Sequence, residues 1–495
     1  MSSAVQPRRT GFIVFSSRIV SVFTGLLFLV MITRWLTPSQ FGLWEFIIDI
    51  VAFAAYPTGV ITYWATREVA RGKPVARTAL LMNQITSVLG IGIYLAFAFL
   101  SLNVIGSSVG PFLLAIALVP LAYWTQAAAS LVSGYDPAIS GYSLFLSEPA
   151  KLLVAYPLLF VYRMGIYGVI IAIAVSYLAQ GIYTTYRLRP ASLDKFQLSL
   201  GLRWLGDWHV PTLVTLTYLL TIADTFAASI GQGGTTLAGY YQAAYQVATI
   251  VFYSSYLSVA LYPLMLRKGS EKLPGEILEF SLLFAVPMAA GAIALAPQIL
   301  YLLRPEYVSS SPALVILALA AVSFLVSVTM DQTLLGRERA DLVEVDRTKS
   351  ILKSDLLFVP AINLAFSAAY VAVIFFLGFL GSRAGTSLPQ LALYWAVAQL
   401  ALWSSLAAIK VIRLRSKAAF SMSRSLAGYV GSGALMGGVV YLLAGPLIPG
   451  RLDALEYGLR LVLLVLVGAA LYFGVLVLFD TKVRGYFAAV LSSIS

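Results

Sequence analysis

The sequence has no cysteine, a single histidine (His209), and only 11% charged residues in 495 positions. Without cysteine there are no disulfides, thiolate metal ligands or cysteine nucleophiles. One histidine gives a metal centre no support. No Gly-rich phosphate loop ending in Lys-Ser/Thr occurs, which argues against nucleotide hydrolysis. The shortage of charge says most. Soluble proteins carry about 25% charged and about 45 to 50% apolar residues, whereas apolar residues here reach 60%. So few charges cannot cover a water-facing surface.

What is present is a series of apolar runs. At about 20 residues per crossing, the chain holds about fourteen membrane spans. Fourteen segments are read at 11–33, 42–63, 78–100, 110–132, 143–162, 166–186, 209–230, 239–265, 275–300, 312–335, 356–380, 389–412, 425–445 and 457–479. The fold class expected is therefore all-α, a polytopic integral membrane protein. The first run is expected to remain as a membrane helix: Arg18 interrupts it and no small-residue cleavage site follows before Arg34. No connection is long enough for a folded soluble domain.

Lys and Arg alternate strongly between connections. The set that includes the N-terminus carries 24, and the opposite set carries five: Arg34, Arg163, Arg304, Arg383 and Arg451. The positive-inside rule then places both termini in the cytoplasm of a multi-pass cell-membrane protein. The 133–142 connection, SGYDPAISGY, carries no base. The net charge of +12 lies almost wholly in the cytoplasmic set. It reads as a topogenic and lipid-headgroup signal and gives no reason to expect nucleic acid.

Prolines 57, 120, 149, 157, 211, 263, 287 and 360 fall inside spans, where each removes a backbone hydrogen bond and tends to kink its helix. Gly433 and Gly437 stand four apart in the thirteenth span, a spacing that permits close helix packing. A faint repeat emerges when residue 42 is set on residue 239. Gly42-Leu43-Trp44-Glu45 then faces Gly239-Tyr240-Tyr241-Gln242, and Asp49 faces Gln246. Two parallel six-helix halves would produce this pattern.

Three stretches carry a family likeness. The first runs from Ser16 to Gly42, with Thr33-Arg34-Trp35-Leu36-Thr37-Pro38 and then Phe41-Gly42-Leu43-Trp44. The second comprises Pro211, Asp224, glycines from Gly231 to Gly234, Gly239-Tyr240 leading to Tyr245, and Pro263; the third is Arg304-Pro305-Glu306-Tyr307. The chain resembles polysaccharide-type lipid-linked oligosaccharide flippases of the multidrug/oligosaccharidyl-lipid/polysaccharide (MOP) exporter superfamily. The resemblance implies a V-shaped bundle with one six-helix lobe in residues 1–195 and another in 196–415, followed by two additional helices and a cytoplasmic tail in 416–495. It implies transport without covalent chemistry or a cofactor, moving a polyprenyl- or dolichyl-pyrophosphate-linked glycan from the cytoplasmic to the outer leaflet. The partners implied are that lipid-linked glycan, membrane lipids and glycan-assembly enzymes.

Charges inside spans cost on the order of 3 kcal/mol near the bilayer centre, so each needs an explanation. Arg18 in span 1 and Lys151 in span 5 are the candidate pyrophosphate-binding residues, because guanidinium and ammonium groups suit phosphate oxygens. Glu148, three residues before Lys151, either pairs with it or positions it. Asp49 and Asp224, at comparable depth in the two halves, are candidates for ion coupling or for pairing with a base. Glu45 is expected to be solvated at the outer interface and His209 to be interfacial beside Trp208. Lys410, Glu276, Glu279, Asp331 and Arg460 are expected to anchor span ends by reaching headgroups or water. Two alternatives stay open. One is a Na⁺- or H⁺-coupled multidrug or metabolite exporter using Asp49 or Asp224. The other is an integral-membrane glycan polymerase or glycosyltransferase, although the external connections offer only Glu306, Asp453 and Glu456 as acids.

Overall fold

The computed structural model describes residues 7–485 except 71, 106–107, 137, 189–194, 207, 209–215, 217–222, 231–233, 259–272, 338–353, 418–424 and 449–452. No strand occurs among the described residues. Among the described residues ten helices are long and apolar enough to cross a membrane, eleven when a bent pair is taken as one span. The other three of the fourteen expected spans, at 11–33, 209–230 and 239–265, lie partly outside the described residues and side chains. The chain is an all-helical, multi-pass membrane protein. It divides into two compact units, Met1–Gly239 and Tyr240–Ser495.

The first unit contains α1 (Pro7–Trp35), α2 (Pro38–Ala54), α3 (Thr58–Ala70), α4 (Ala76–Ile105), α5 (Val109–Ala115), α6 (Leu118–Tyr135), α7 (Ala138–Tyr156), α8 (Ile166–Leu188), α9 (Leu198–Gly206) and α10 (Ala223–Ile230). The helix α11 (Gly234–Phe252) begins here. The turn from α1 to α2 follows from local sequence. Thr37 Oγ1 accepts from the Gln40 N–H at 3.2 Å, Gln40 Oε1 accepts from the Thr37 N–H at 3.0 Å, and Pro38 opens the helix. This capping box closes one helix and starts the next within two residues.

Two breaks in this unit share one remedy. At Pro57 the chain bends by 58° between α2 and α3. The Thr58 N–H turns to the Ala55 carbonyl, which frees that of Ala54, and buried Tyr123 donates its hydroxyl to the Ala54 oxygen at 2.9 Å. Between α5 and α6 the Ile116 N–H goes to Leu113, freeing Phe112, whose oxygen takes the hydroxyl of buried Tyr94 at 3.0 Å. An orphaned carbonyl in an apolar bundle is costly, and each phenol removes that cost. Gly90 makes the first remedy possible, since a Cβ there would lie 2.6 Å from the Tyr123 ring and 2.8 Å from the Ala54 oxygen.

The expected ten-residue connection at 133–142 is much shorter, because α6 runs to Tyr135 and α7 resumes at Ala138. Asp136 Oδ1 accepts the Ala138 N–H at 3.1 Å and so turns the chain with its own side chain. Within the first unit the backbone at Gly42 and that at Gly239 each approach a neighbouring segment closely. A Cβ on Gly42 would sit 1.7 Å from the Thr235 oxygen, and one on Gly239 would sit 2.2 Å from the Pro38 oxygen. Only glycine allows this backbone approach. Ser39 and Thr235 hydrogen-bond beside it at 2.8 Å.

The second unit contains α12 (Leu273–Ala294), α13 (Ala296–Leu303), α14 (Ser311–Arg337), α15 (Asp355–Arg383), α16 (Leu388–Lys417), α17 (Ser425–Leu447) and α18 (Ala454–Phe479). Its helices are longer and less broken. Pro287, Pro360 and Pro446 all lie within continuous helices. α14 packs along α16, and α12 along α17, which in turn packs on α18. A core that includes Leu282, Leu325, Met330, Leu414, Met436 and Tyr472 runs through them. Gly433 is close to Val286 of α12, with a Cβ–Cγ1 separation of 2.7 Å for an added methyl.

Candidate functional site

Within the first unit, α1 and α7 pack side by side and bring polar groups together inside the bundle. Ser21, Thr24 and Phe28 occupy successive turns on one stripe of α1. Thr24 Oγ1 donates to Glu148 Oε2 at 2.7 Å, and Ser21 Oγ donates to Oε1 at 3.4 Å. Lys151 Nζ donates to the same Oε2 at 2.7 Å and sits 5.1 Å from the centroid of the Phe28 ring. The side chains of Lys151 and Glu148 are 12% and 13% exposed.

Three donors therefore satisfy the carboxylate. The ammonium has three N–H groups, of which Glu148 uses one, and its aromatic neighbour supports the positive charge. This leaves Lys151 with donor capacity for a further acceptor. Arg18 lies on α1 three residues before Ser21, and its side chain is outside the described residues.

Asp49 is half-buried on α2, and Asp224 is 2% exposed on α10. Both acids fall in the first compact unit, on helices that pack together. Phe226 of α10 meets Phe46 and Phe53 of α2, with centroids 5.0 and 4.9 Å apart. Glu45, expected to be solvated, is buried at 8% exposure because α2 turns that face toward the bundle. His209 lies outside the described residues.

The second unit holds the charges that sequence reasoning missed. Lys410 and Asp331, expected to anchor span ends, form a salt bridge inside the bundle at 2.7 Å. Lys410 is 0% exposed. Its ammonium also donates to Ser327 Oγ at 2.7 Å, while Asn363 Nδ2 donates to the other Asp331 oxygen at 3.0 Å. Next along α16, Arg413 pairs with Asp355 at 2.6 Å and stacks on Phe358 at 3.7 Å. The signal was available in the arginines. Arg413 and Arg415 follow Lys410 and supply the helix's reach to the surface, leaving Lys410 deeper and in need of an acid.

The other expected anchors are more ordinary. Glu279 pairs with Lys482 at 3.0 Å. Arg460 pairs with Glu456 at 2.5 Å and donates to the Leu447 carbonyl at the end of α17. A third buried polar group joins the Tyr241 hydroxyl to that of Tyr370 at 2.7 Å and to Gln399 Oε1 at 2.8 Å. Among the described residues no group of His, Cys, Asp and Glu could hold a metal ion.

No protein-family model and no curated protein matches the sequence. Solved structures do. The lipid II flippase MurJ in an inward closed conformation superposes with a TM-score of 0.63 at 12% identity, over 94% of this chain and 99% of that one. The chain shares the fold of that flippase structure. A multidrug resistance MATE family transporter of the MOP superfamily matches in its inward-facing form with a TM-score of 0.59 at 13% identity, over 80% of this chain and 94% of that one. The outward-facing form gives 0.55 at 13% identity, over 82% and 95%. At such identities the likeness is one of fold, and the structures it reaches are transporters.

Proposed function

We propose that this protein moves a lipid-linked oligosaccharide or polysaccharide unit, carried on a polyprenyl- or dolichyl-pyrophosphate, from the cytoplasmic to the outer leaflet by alternating access. The observation that carries the reading is the extent of the fold match. The lipid flippase aligns over 94% of the chain, the multidrug transporter over 80%. That difference is comparable to the length of the segment holding α17 and α18. The count of basic residues supports cytoplasmic termini in a cell membrane, which puts the loading side where lipid-linked glycans are assembled and their assembly enzymes act.

In this reading Lys151 offers its remaining donors to the pyrophosphate, and Glu148, fixed by Thr24 and Ser21, holds the ammonium in place. Arg18 adds a second cation from α1. The step requires recognition of an anionic headgroup and no bond making. Deleting the protein in a strain without a redundant flippase should leave the lipid-linked glycan on the cytoplasmic leaflet, and normal outward exposure there would contradict the proposal. The second reading, an ion-coupled multidrug or metabolite exporter using Asp49 or Asp224, is favoured by the 0.59 match to a MATE transporter. It predicts a substrate-induced Na⁺ or H⁺ flux in proteoliposomes.

A further inference from the structure

Helices α4 and α8 both pack on α6, and there the surface of the first unit carries a groove of about 470 Å³ lined by Arg77, Leu80, Leu81, Gln84, Trp124 and Thr185. Its floor is fixed. The Trp124 indole donates its N–H to Thr185 Oγ1 at 2.8 Å, and it lies so close to α8 that a Cβ on Gly181 would be 2.9 Å from the ring. Leu81 is exposed, and exposed Ile85 and Leu89 continue the apolar surface along one stripe of α4. The mouth differs from the walls. Arg77 stands exposed in the first turn of α4, a turn that contains no acid and where the helix end disfavours a cation. Among the described residues it has no ion-pair partner, because Glu68, near the end of α3, is held by Lys73 at 3.8 Å and Arg203 at 3.0 Å. A wholly apolar trough would take any acyl chain, but one that ends under an unpaired guanidinium selects a lipid with a phosphate and a net negative charge.

We propose that this groove is a site for one anionic phospholipid of the surrounding bilayer, with its phosphate on Arg77 and an acyl chain along Leu80, Leu81 and the Trp124 ring. Gln84, about 10 Å further along α4, donates one amide N–H to the Pro120 carbonyl at 3.2 Å and has a second for an ester carbonyl of the lipid. Arg77 belongs to the base-rich set of connections, which lies at the leaflet richer in anionic lipid. The bound lipid ties together α4 and α8, two helices that meet mainly through α6. The inference does not rest on the flippase reading, because the occupant is a structural lipid and not cargo.

The test is native mass spectrometry of the purified full chain, released from detergent after equilibration with phosphatidylglycerol or phosphatidylcholine of identical acyl chains and with no lipid-linked glycan present. The wild type should bind phosphatidylglycerol about fivefold or more tightly than phosphatidylcholine. Arg77→Gln should lose that preference, and Arg77→Lys should keep most of it. Arg187→Gln, which removes an exposed arginine of α8 outside the groove lining, should keep it in full. Leu81→Trp, which fills the trough and leaves the charge in place, should weaken binding of both lipids several-fold. Equal binding of the two lipids by the wild type, an undiminished preference in Arg77→Gln, an equal loss in Arg187→Gln, or unchanged binding in Leu81→Trp would each overturn the proposal.

Discussion

In the first unit the intramembrane pair lies on one turn of α7, with Glu148 and Lys151 three residues apart and α1 supplying only hydroxyls. In the second unit the pair joins two helices, Asp331 of α14 and Lys410 of α16, with α15 contributing Asn363. The chemistry is the same and the consequences differ. A pair within one turn forms wherever its helix forms, and its cation can turn to another acceptor while the carboxylate keeps its hydroxyl donors. A pair between helices exists only in the packed bundle, and losing one partner strands a charge in the apolar interior. The difference separates a site able to exchange partners from one that holds its partner permanently.

The most severe challenge to this comparison is to remove each lysine in turn. Lys410→Met should cost about 3–5 kcal/mol, the usual loss when a buried charge is left alone. Lys151→Met should cost about 1–2 kcal/mol, because Thr24 and Ser21 remain on Glu148. Equilibrium unfolding in detergent measures both, and equal losses would remove the distinction.

A second contrast concerns backbone approach. Gly90→Ala in the first unit should cost about 2–3 kcal/mol by displacing Tyr123 from the Ala54 carbonyl. Gly437→Ala in the second, where a Cβ first meets the Ala290 oxygen at 3.5 Å, should stay within about 0.5 kcal/mol. Thermal melts of the two variants, compared with Tyr123→Phe, would show whether the freed carbonyl is the cause. The smallest effect is expected at the exposed pair of α18, where Glu456→Gln should change stability by about 0.5 kcal/mol or less in the same melts.

How much of this was legible in the sequence depends on whether the governing interaction is local. The Thr37-Pro38 turn, the Pro57 bend and the Glu148–Lys151 pair each depend on residues within a few positions, and each could be read from the chain. Pro287 and Pro360 carried the same signal as Pro57 but sit in continuous helices, because surrounding packing decides whether a proline breaks a helix or only bends it. The 133–142 connection was overestimated because its apolar and polar residues were read as a loop, whereas α6 and α7 extend through most of it. Glu45 and Lys410 were misplaced for a different reason. Depth along a helix is readable from sequence, but the face a charge presents and the acid that awaits it belong to other helices. Asn363 illustrates the point, since nothing near it in the sequence predicts a bond to Asp331. The repeat of Gly42 and Gly239 was visible as a likeness of two segments, and only their packing reveals why both are glycine.

The proposed role of Lys151 and Arg18 is to bind an anionic lipid headgroup. It is tested most directly by reconstituting the purified protein in proteoliposomes and measuring transbilayer movement of a defined lipid-pyrophosphate glycan, with Lys151→Ala and Arg18→Ala alongside the wild type. Glycan movement is expected in the wild type, with a loss of about tenfold or more in each variant, equivalent to about 1.4 kcal/mol of lost phosphate contact. Movement at the wild-type rate in both variants, or none in the wild type, would contradict it.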